Sequence, residues 1–137
     1  MTRGRRRELS IAWDAAASDA LGAAEALRRS GHFRSCVSRA YYAASSYVAA
    51  SLVLDPGVVF RDGRQGPPHE TLPDLLGERM VARMAPRAVS SIRRDLRVLY
   101  AARITADYLP DHRVDEGLAV SMLRLATMVA RSVRRDA

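Results

Sequence analysis

Residues 89–108 read VSSIRRDLRVLYAARITADY. Val89, Ile92, Leu96 and Leu99 step by three and four, the spacing that gathers apolar side chains on one face of an α-helix. The next position in that series is Arg103, so the spacing predicts an arginine on the stripe where a core residue belongs. An arginine is seldom buried without a partner. Asp107 stands four residues on, within reach of the guanidinium. Two readings of Arg103 stay open on this pattern. It is either half of an Arg–Asp pair that sets helix register, or a bidentate phosphate ligand at the bottom of a groove. Pro86 suits the first turn of this helix, and Pro110 disfavours its continuation beyond about Tyr108.

The same periodicity runs outward in both directions. Trp13, Ala17, Ala20, Leu21, Ala24 and Leu27 predict a helix from Leu9 or Ser10 to about Ser30, with Gly31 as its stop. Phe33, Val37, Ala40, Tyr41, Ala44, Val48 and Leu52 predict a second helix from Phe33 to Leu54. The alanines and serines between them let neighbouring helices approach closely. Asp55-Pro56-Gly57 ends that helix, and Pro67 and Pro68 close a long loop over 55–68. A short helix is expected from His69 or Glu70 to about Met80. Leu118, Met122, Leu125, Val129 and Val133 mark a last helix from about Asp115 to Arg134. No strand or internal repeat stands out, so the expected fold is all-α: a compact bundle of four main helices plus a short one.

A chain of 137 residues suits one domain and can bury roughly two-thirds of its unfolded surface without staples. The net charge is +7, and all 22 basic residues are arginine. A GC-rich genome accounts for that bias better than selection for phosphate binding does. Arg3, Arg5, Arg6 and Arg7 supply four of those charges, which leaves +3 on the rest. Residues 1–8 are therefore expected to be a flexible basic arm, and 9–137 a single helical domain. Cys36 is the only cysteine, which rules out an internal disulfide and agrees with a reducing, cytoplasmic setting. No apolar run is long enough to span a bilayer, and the basic N-terminus lacks the apolar stretch of a secretory signal.

Residues able to carry chemistry are few. Tyr41 and Tyr42 project about 100° apart on the second helix, so one can fill the core while the other lines a groove. Arg39 falls near Tyr42 and Ser46. Tyr108 sits roughly 140° round the helix from Arg103. His32, His69 and His112 are too scattered for a metal site, although His69 or His112 could be brought beside Arg103 as a general base. The chain has no Gly-rich phosphate loop, nucleophile elbow or paired-carboxylate pattern.

Taken in order, Ala26-Leu27, Gly31-His32-Phe33, Arg39-Ala-Tyr-Tyr-Ala43, His69 after a loop, and Arg103-x-x-Ala-Asp-Tyr108 resemble the small standalone HEPN proteins over roughly residues 10–135. The resemblance implies a homodimer with a groove lined by fourth-helix arginines, and a role in RNA or nucleotide binding. It further implies a toxin–antitoxin or defence setting, metal-independent ribonuclease chemistry without a cofactor, and a nucleotidyltransferase-fold antitoxin as partner. Active members carry an arginine, then four to six residues, then a histidine. Here Tyr108 stands five residues after Arg103, and His112 nine. The site implied is Arg103, Asp107 and Tyr108 as catalytic residues, with Arg39, Tyr42, His69, Arg103 and His112 contacting RNA or nucleotide. The alternative is a non-catalytic module that docks a nucleotidyltransferase-type partner.

Overall fold

The computed structural model describes residues 1–136; residue 137, the expected end of the domain, lies outside the described residues. Five helices follow in order: α1 (Arg3–Arg29), α2 (Phe33–Leu52), α3 (Leu72–Arg79), α4 (Pro86–Tyr108) and α5 (Glu116–Asp136). A 3-10 turn, His69–Thr71, leads directly into α3. No strand occurs among the described residues. The all-α bundle read from the sequence is the observed architecture.

Helix α2 is the axis of the molecule and packs against all four other helices. Every residue from Ala43 to Leu52 is buried. A helix apolar or small on all sides has no solvent face, and its alanines and serines leave room for neighbours on each flank. Val37, Val48, Leu52, Leu76, Ile92, Leu99 and Val129 meet around it in one core shared by α2, α3, α4 and α5, with Ala24 of α1 joining it.

The α1–α2 connection is a Schellman turn. Gly31 takes φ +80, the Gly31 amide donates to the Arg28 carbonyl, and the His32 amide donates to the Leu27 carbonyl. Only glycine adopts that φ without a Cβ clash. The expected stop is therefore in place, and α2 begins at Phe33 as the pattern required.

Residues 3–8, expected in a basic arm, belong to helix α1. Helix α1 starts at Arg3, and the Thr2 hydroxyl oxygen accepts from the Arg5 amide at 3.1 Å. The Arg6 guanidinium donates to the carbonyls of Val53, Asp55, Pro56 and Val58. Helix C-termini leave unsatisfied carbonyls, and Arg6 satisfies those at the end of α2 and in the turn that follows. Leu9 is buried and the Ser10 hydroxyl donates to the Ala50 carbonyl at 2.6 Å, so Arg6, Leu9 and Ser10 hold the start of α1 against the end of α2 and the turn after it.

Two further boundaries differ from the expectation. Helix α2 ends at Leu52, two residues early, where Arg6 takes over its terminal carbonyls. The segment 69–80 divides into the 3-10 turn and α3. Pro73 lies in the first turn of α3, a place where its missing N–H costs nothing. The loop 55–68 is held at both ends. Asp55 accepts two hydrogen bonds from Arg79, at 2.8 and 3.0 Å. Near its far end the Trp13 indole N–H donates to the Gln65 carbonyl at 2.8 Å. A Cβ on Gly66 would lie 3.1 Å from that indole, so a side chain there would push the loop off Trp13.

Candidate functional site

Helices α2 and α4 pack together, and Gly77 and Asp74 of α3 approach the Arg93 and Arg97 side chains of α4. A half-open groove of about 1290 Å³ lies between α2, Arg103 of α4, Trp13 of α1 and the 59–70 segment.

Arg103 stands in this groove and not in the core. Its side chain is 31% exposed. The stripe of Val89, Ile92, Leu96 and Leu99 continues instead through Ala102 and Ala106. A spacing of 3.5 residues drifts against a helix of 3.6 residues per turn. At this level the drift turns the core face to the two alanines and leaves Arg103 at the uncovered edge.

The guanidinium is fixed from several sides. Arg103 Nε donates to Asp107 Oδ2 at 2.9 Å, and the same oxygen accepts from the Ser38 hydroxyl at 3.1 Å. Nη2 lies 3.5 Å from the Tyr108 hydroxyl. The carbon of the guanidinium sits 5.4 Å from the centre of the Tyr108 ring and 6.0 Å from that of Tyr41, within cation–π range. Five residues of helix separate Arg103 from Tyr108, yet the length of both side chains closes the gap that the angle alone would leave.

His69 enters from the 3-10 turn. Its ring centre is 5.8 Å from that of Tyr41 and 6.2 Å from that of Tyr42. Burial pushes its pKa below the ordinary histidine value; the charge of Arg103 pushes the same way and Glu70 opposes. The imidazole is therefore held in its neutral form, with a lone pair able to accept a proton. Burial also raises the Tyr41 hydroxyl to about 12, against the opposing pull of Arg103, so Tyr41 stays protonated. Arg39 packs over the Tyr42 ring at 4.7 Å.

Of the residues singled out in the sequence, Arg39, Tyr42, His69 and Arg103 line the groove. Asp107 and Tyr108 reach it through Arg103. His112 is elsewhere: its ring contacts Asp111 at 3.0 Å, and its carbonyl accepts from Arg34. Arg34 also donates to the carbonyls of Thr105, Ala106, Leu109 and Pro110, and so caps the end of α4 and holds the turn after it. Of the two histidines considered as partners for Arg103, only His69 shares its groove.

Sequence reasoning missed Arg61 and Arg64, which join Arg39 and Arg103 to make four arginines in the lining, and also Trp13. Their place depends on how the loop folds back on α1, which no local pattern encodes. Ser38 carried no signal at all. Glu70 is the one acidic residue among the lining side chains, so the groove is strongly positive. Among the described residues, no group of three or more His, Cys, Asp or Glu side chains is gathered for a metal, and no helix is long and apolar enough to cross a membrane.

A protein-family model described as HEPN domain matches residues 12–136. None of the curated proteins matches the chain.

Proposed function

Since the chain belongs to the HEPN domain family, we propose that its groove binds single-stranded RNA or a nucleotide and cleaves RNA without a metal ion, as the effector of a toxin–antitoxin or defence system. The observation that carries this reading is the shared placement of Arg103 and a neutral His69 in one groove. Four arginines supply phosphate contacts. Tyr42, His69 and Trp13 offer ring faces on which unpaired bases stack.

The chemistry requires a base, a charge stabiliser and an acid. His69 accepts the proton of a ribose 2′-hydroxyl, and the freed oxygen attacks the adjacent phosphorus. Arg103, oriented by Asp107, stabilises the charge that builds on the phosphoryl oxygens. The bond from phosphorus to the 5′-oxygen breaks, and that oxygen takes a proton from Tyr108 or from water. The products are a 2′,3′-cyclic phosphate and a 5′-hydroxyl. His69 thus takes the role that the histidine after the arginine holds in active relatives, from a different element of the chain.

The proposal includes a homodimer, consistent with the apolar Val98, Tyr108 and Leu109 left exposed along α4, and a nucleotidyltransferase-fold antitoxin. The test is incubation of the purified protein with total RNA in EDTA, beside Arg103→Ala and His69→Ala variants checked for folding. Cleavage lost in both variants supports the reading. Absence of cleavage and of Arg103-dependent RNA binding overturns it. One observation favours a second reading: Tyr108 occupies the histidine position of active relatives and engages Arg103. On that reading the groove docks a nucleotidyltransferase-type partner without catalysis, and the partner's binding would depend on Arg103.

A further inference from the structure

A second cavity, of about 360 Å³, opens beside Tyr41 and His69, and Arg103 is not in its lining. The two hollows share Tyr41, His69 and Glu70 as a common wall. The second has an apolar floor of Leu72 and Leu96, both buried, and a ring wall in which Tyr41 meets Tyr100 edge-on at 5.6 Å between centres. Its rim holds Glu70, Asp74 and Arg97. Asp74 and Arg97 stand 4.0 Å apart, beyond hydrogen-bond distance. Among the described residues none of the three makes a side-chain hydrogen bond. Asp74 is shared between Arg97 and Arg93, 3.8 Å away, as a loose ion pair, so the Glu70 carboxylate and the hydrogen-bonding edge of Arg97 keep capacity for a ligand.

We propose that this cavity is a base pocket selective for guanine, filled by a nucleotide whose phosphate lies on Arg103; the proposal rests on the groove being an RNA or nucleotide site. A flat apolar slot with aromatic walls and a few polar groups at its mouth fits a nucleobase. Its size lies at the small end of ligand pockets, suited to one base and its sugar. The polar pair selects among bases. Guanine alone presents two adjacent donors, N1–H and N2–H, on the edge that a single carboxylate can accept bidentately. It also offers the O6 and N7 acceptors that suit an arginine. Glu70 supplies the first set and Arg97 the second, with Asp74 beside Arg97 to orient it. Adenine would set its N1 lone pair against the Glu70 carboxylate, which leaves charged groups unmatched. Arg103 lies 6.0 Å from the Tyr41 ring and Tyr100 lies 5.6 Å from it. Both hollows border Tyr41, so one nucleotide can set its phosphate on Arg103 and its base in the second cavity.

The experiment is calorimetric titration of the full chain with the 5′-monophosphates of guanosine, adenosine, cytidine and uridine, repeated with Glu70→Ala. Glu70 is exposed in the 3-10 turn, so its loss leaves the fold intact, as circular dichroism will show. Guanosine monophosphate should bind at least about tenfold tighter than adenosine monophosphate, the order expected of one bidentate base contact. In Glu70→Ala the ratio should fall below about threefold. Equal affinities, binding of none of the four, or a guanine preference that survives Glu70→Ala would each overturn the pocket. Binding of single-stranded homopolymer RNA by wild type and Arg103→Ala reports on the groove separately. Arg103-dependent RNA binding without guanine preference would sink the pocket while leaving the groove reading standing.

Discussion

Arg103 and Asp107 face each other across one turn of α4, Nε to Oδ2 at 2.9 Å, with both side chains about one-third exposed. That exposure bears on the two readings open in the sequence, and it supports the ligand-binding one. A pair that exists to hold a core together is buried, and breaking it leaves an uncompensated charge. Here the carboxylate takes Nε and the Ser38 hydroxyl. Nη2 touches only the Tyr108 hydroxyl at the limit of hydrogen bonding, and the Arg103 side chain is part of the groove lining. Under the proposed function, Asp107 positions an arginine that keeps capacity for a phosphate.

Arg103→Ala is therefore expected to cost less than about 1 kcal/mol in stability, the range of a solvent-screened pair, while RNA binding falls at least tenfold. Thermal unfolding and RNA titration on the same preparation check it. A fall of several kcal/mol with RNA affinity unchanged would restore the purely structural role. Asp107→Asn should give an intermediate loss of affinity, since Arg103 stays charged but loses its strongest anchor.

The pH dependence should follow His69. Its folded pKa lies below the ordinary 6.5, so the proton-accepting form persists into mildly acidic solution. The limb of kcat/KM that reports the base should fall below pH 6.5 and not at it. Stability has the same sign: the unfolded chain takes up the proton first, so stability present above about pH 6.5 is lost as pH drops through the folded value. Arg103→Ala removes the second cause of the shift but not the first, which is burial. The His69 ring resonances should then titrate at a higher pH than in the wild type, though still below 6.5.

The helices were legible because their causes are local. Pro86, Pro110, Gly31 and the three-and-four spacing act within a turn or two of where they stand, and the bounds of α4 coincide with the expectation. Arg6 shows where locality ends. Read in place, it is one of four charges in a polar segment. Its partners are carbonyls 47 to 52 residues away, at the end of a helix it meets only after the α1–α2 hairpin closes. The site divides likewise. Arg103, Asp107 and Tyr108 come from one helix and could be read together. Arg61, Arg64 and Trp13 meet them through the path of the 55–68 loop, and His112 is held in the turn after α4 by Arg34, whose capping role leaves no mark in the sequence.

Acid should loosen the loop at its Asp55 end. Hydrogen bonds from Arg79 are the main reason the Asp55 pKa lies at about 2, well below the ordinary value of 3.8; the Gly57 amide adds to it and burial opposes. A depressed carboxylate contributes stability that is complete above its unfolded pKa and lost as pH falls through the folded one. The loss should fall between about pH 4 and pH 2. Allowing for screening at the partly exposed Arg79, it should amount to about 1–2 kcal/mol. Arg79→Met should remove most of this dependence, measured as the change in denaturation midpoint between pH 5 and pH 2.5.

Arg34 is expected to matter for stability and not for binding. One guanidinium satisfies the carbonyls of Thr105, Ala106, Leu109, Pro110 and His112. Charge-assisted bonds of this kind contribute about 1.5–3 kcal/mol. Arg34→Ala should lower stability by roughly 2 kcal/mol and fray the last turn of α4, which amide exchange at Ala106 to Leu109 will report. Tyr108 sits on that turn, so its ring should become more mobile while Arg103, a turn earlier, keeps its place.

Salt gives the most direct count of the groove arginines. Each phosphate neutralised on a single strand contributes about −0.7 to the slope of log affinity against log salt. Arg39, Arg61, Arg64 and Arg103 all line the groove, so full engagement predicts a slope of about −3. Arg61 and Arg64 are exposed loop residues, and replacing both with serine should leave the fold unchanged. The slope should then become shallower by about 1.4, with affinity falling alike for every RNA sequence, because a phosphate contact carries no base information. A slope unchanged by the double variant would mean that the loop arginines do not touch the strand, and that the bound RNA runs along α2 and α4 alone.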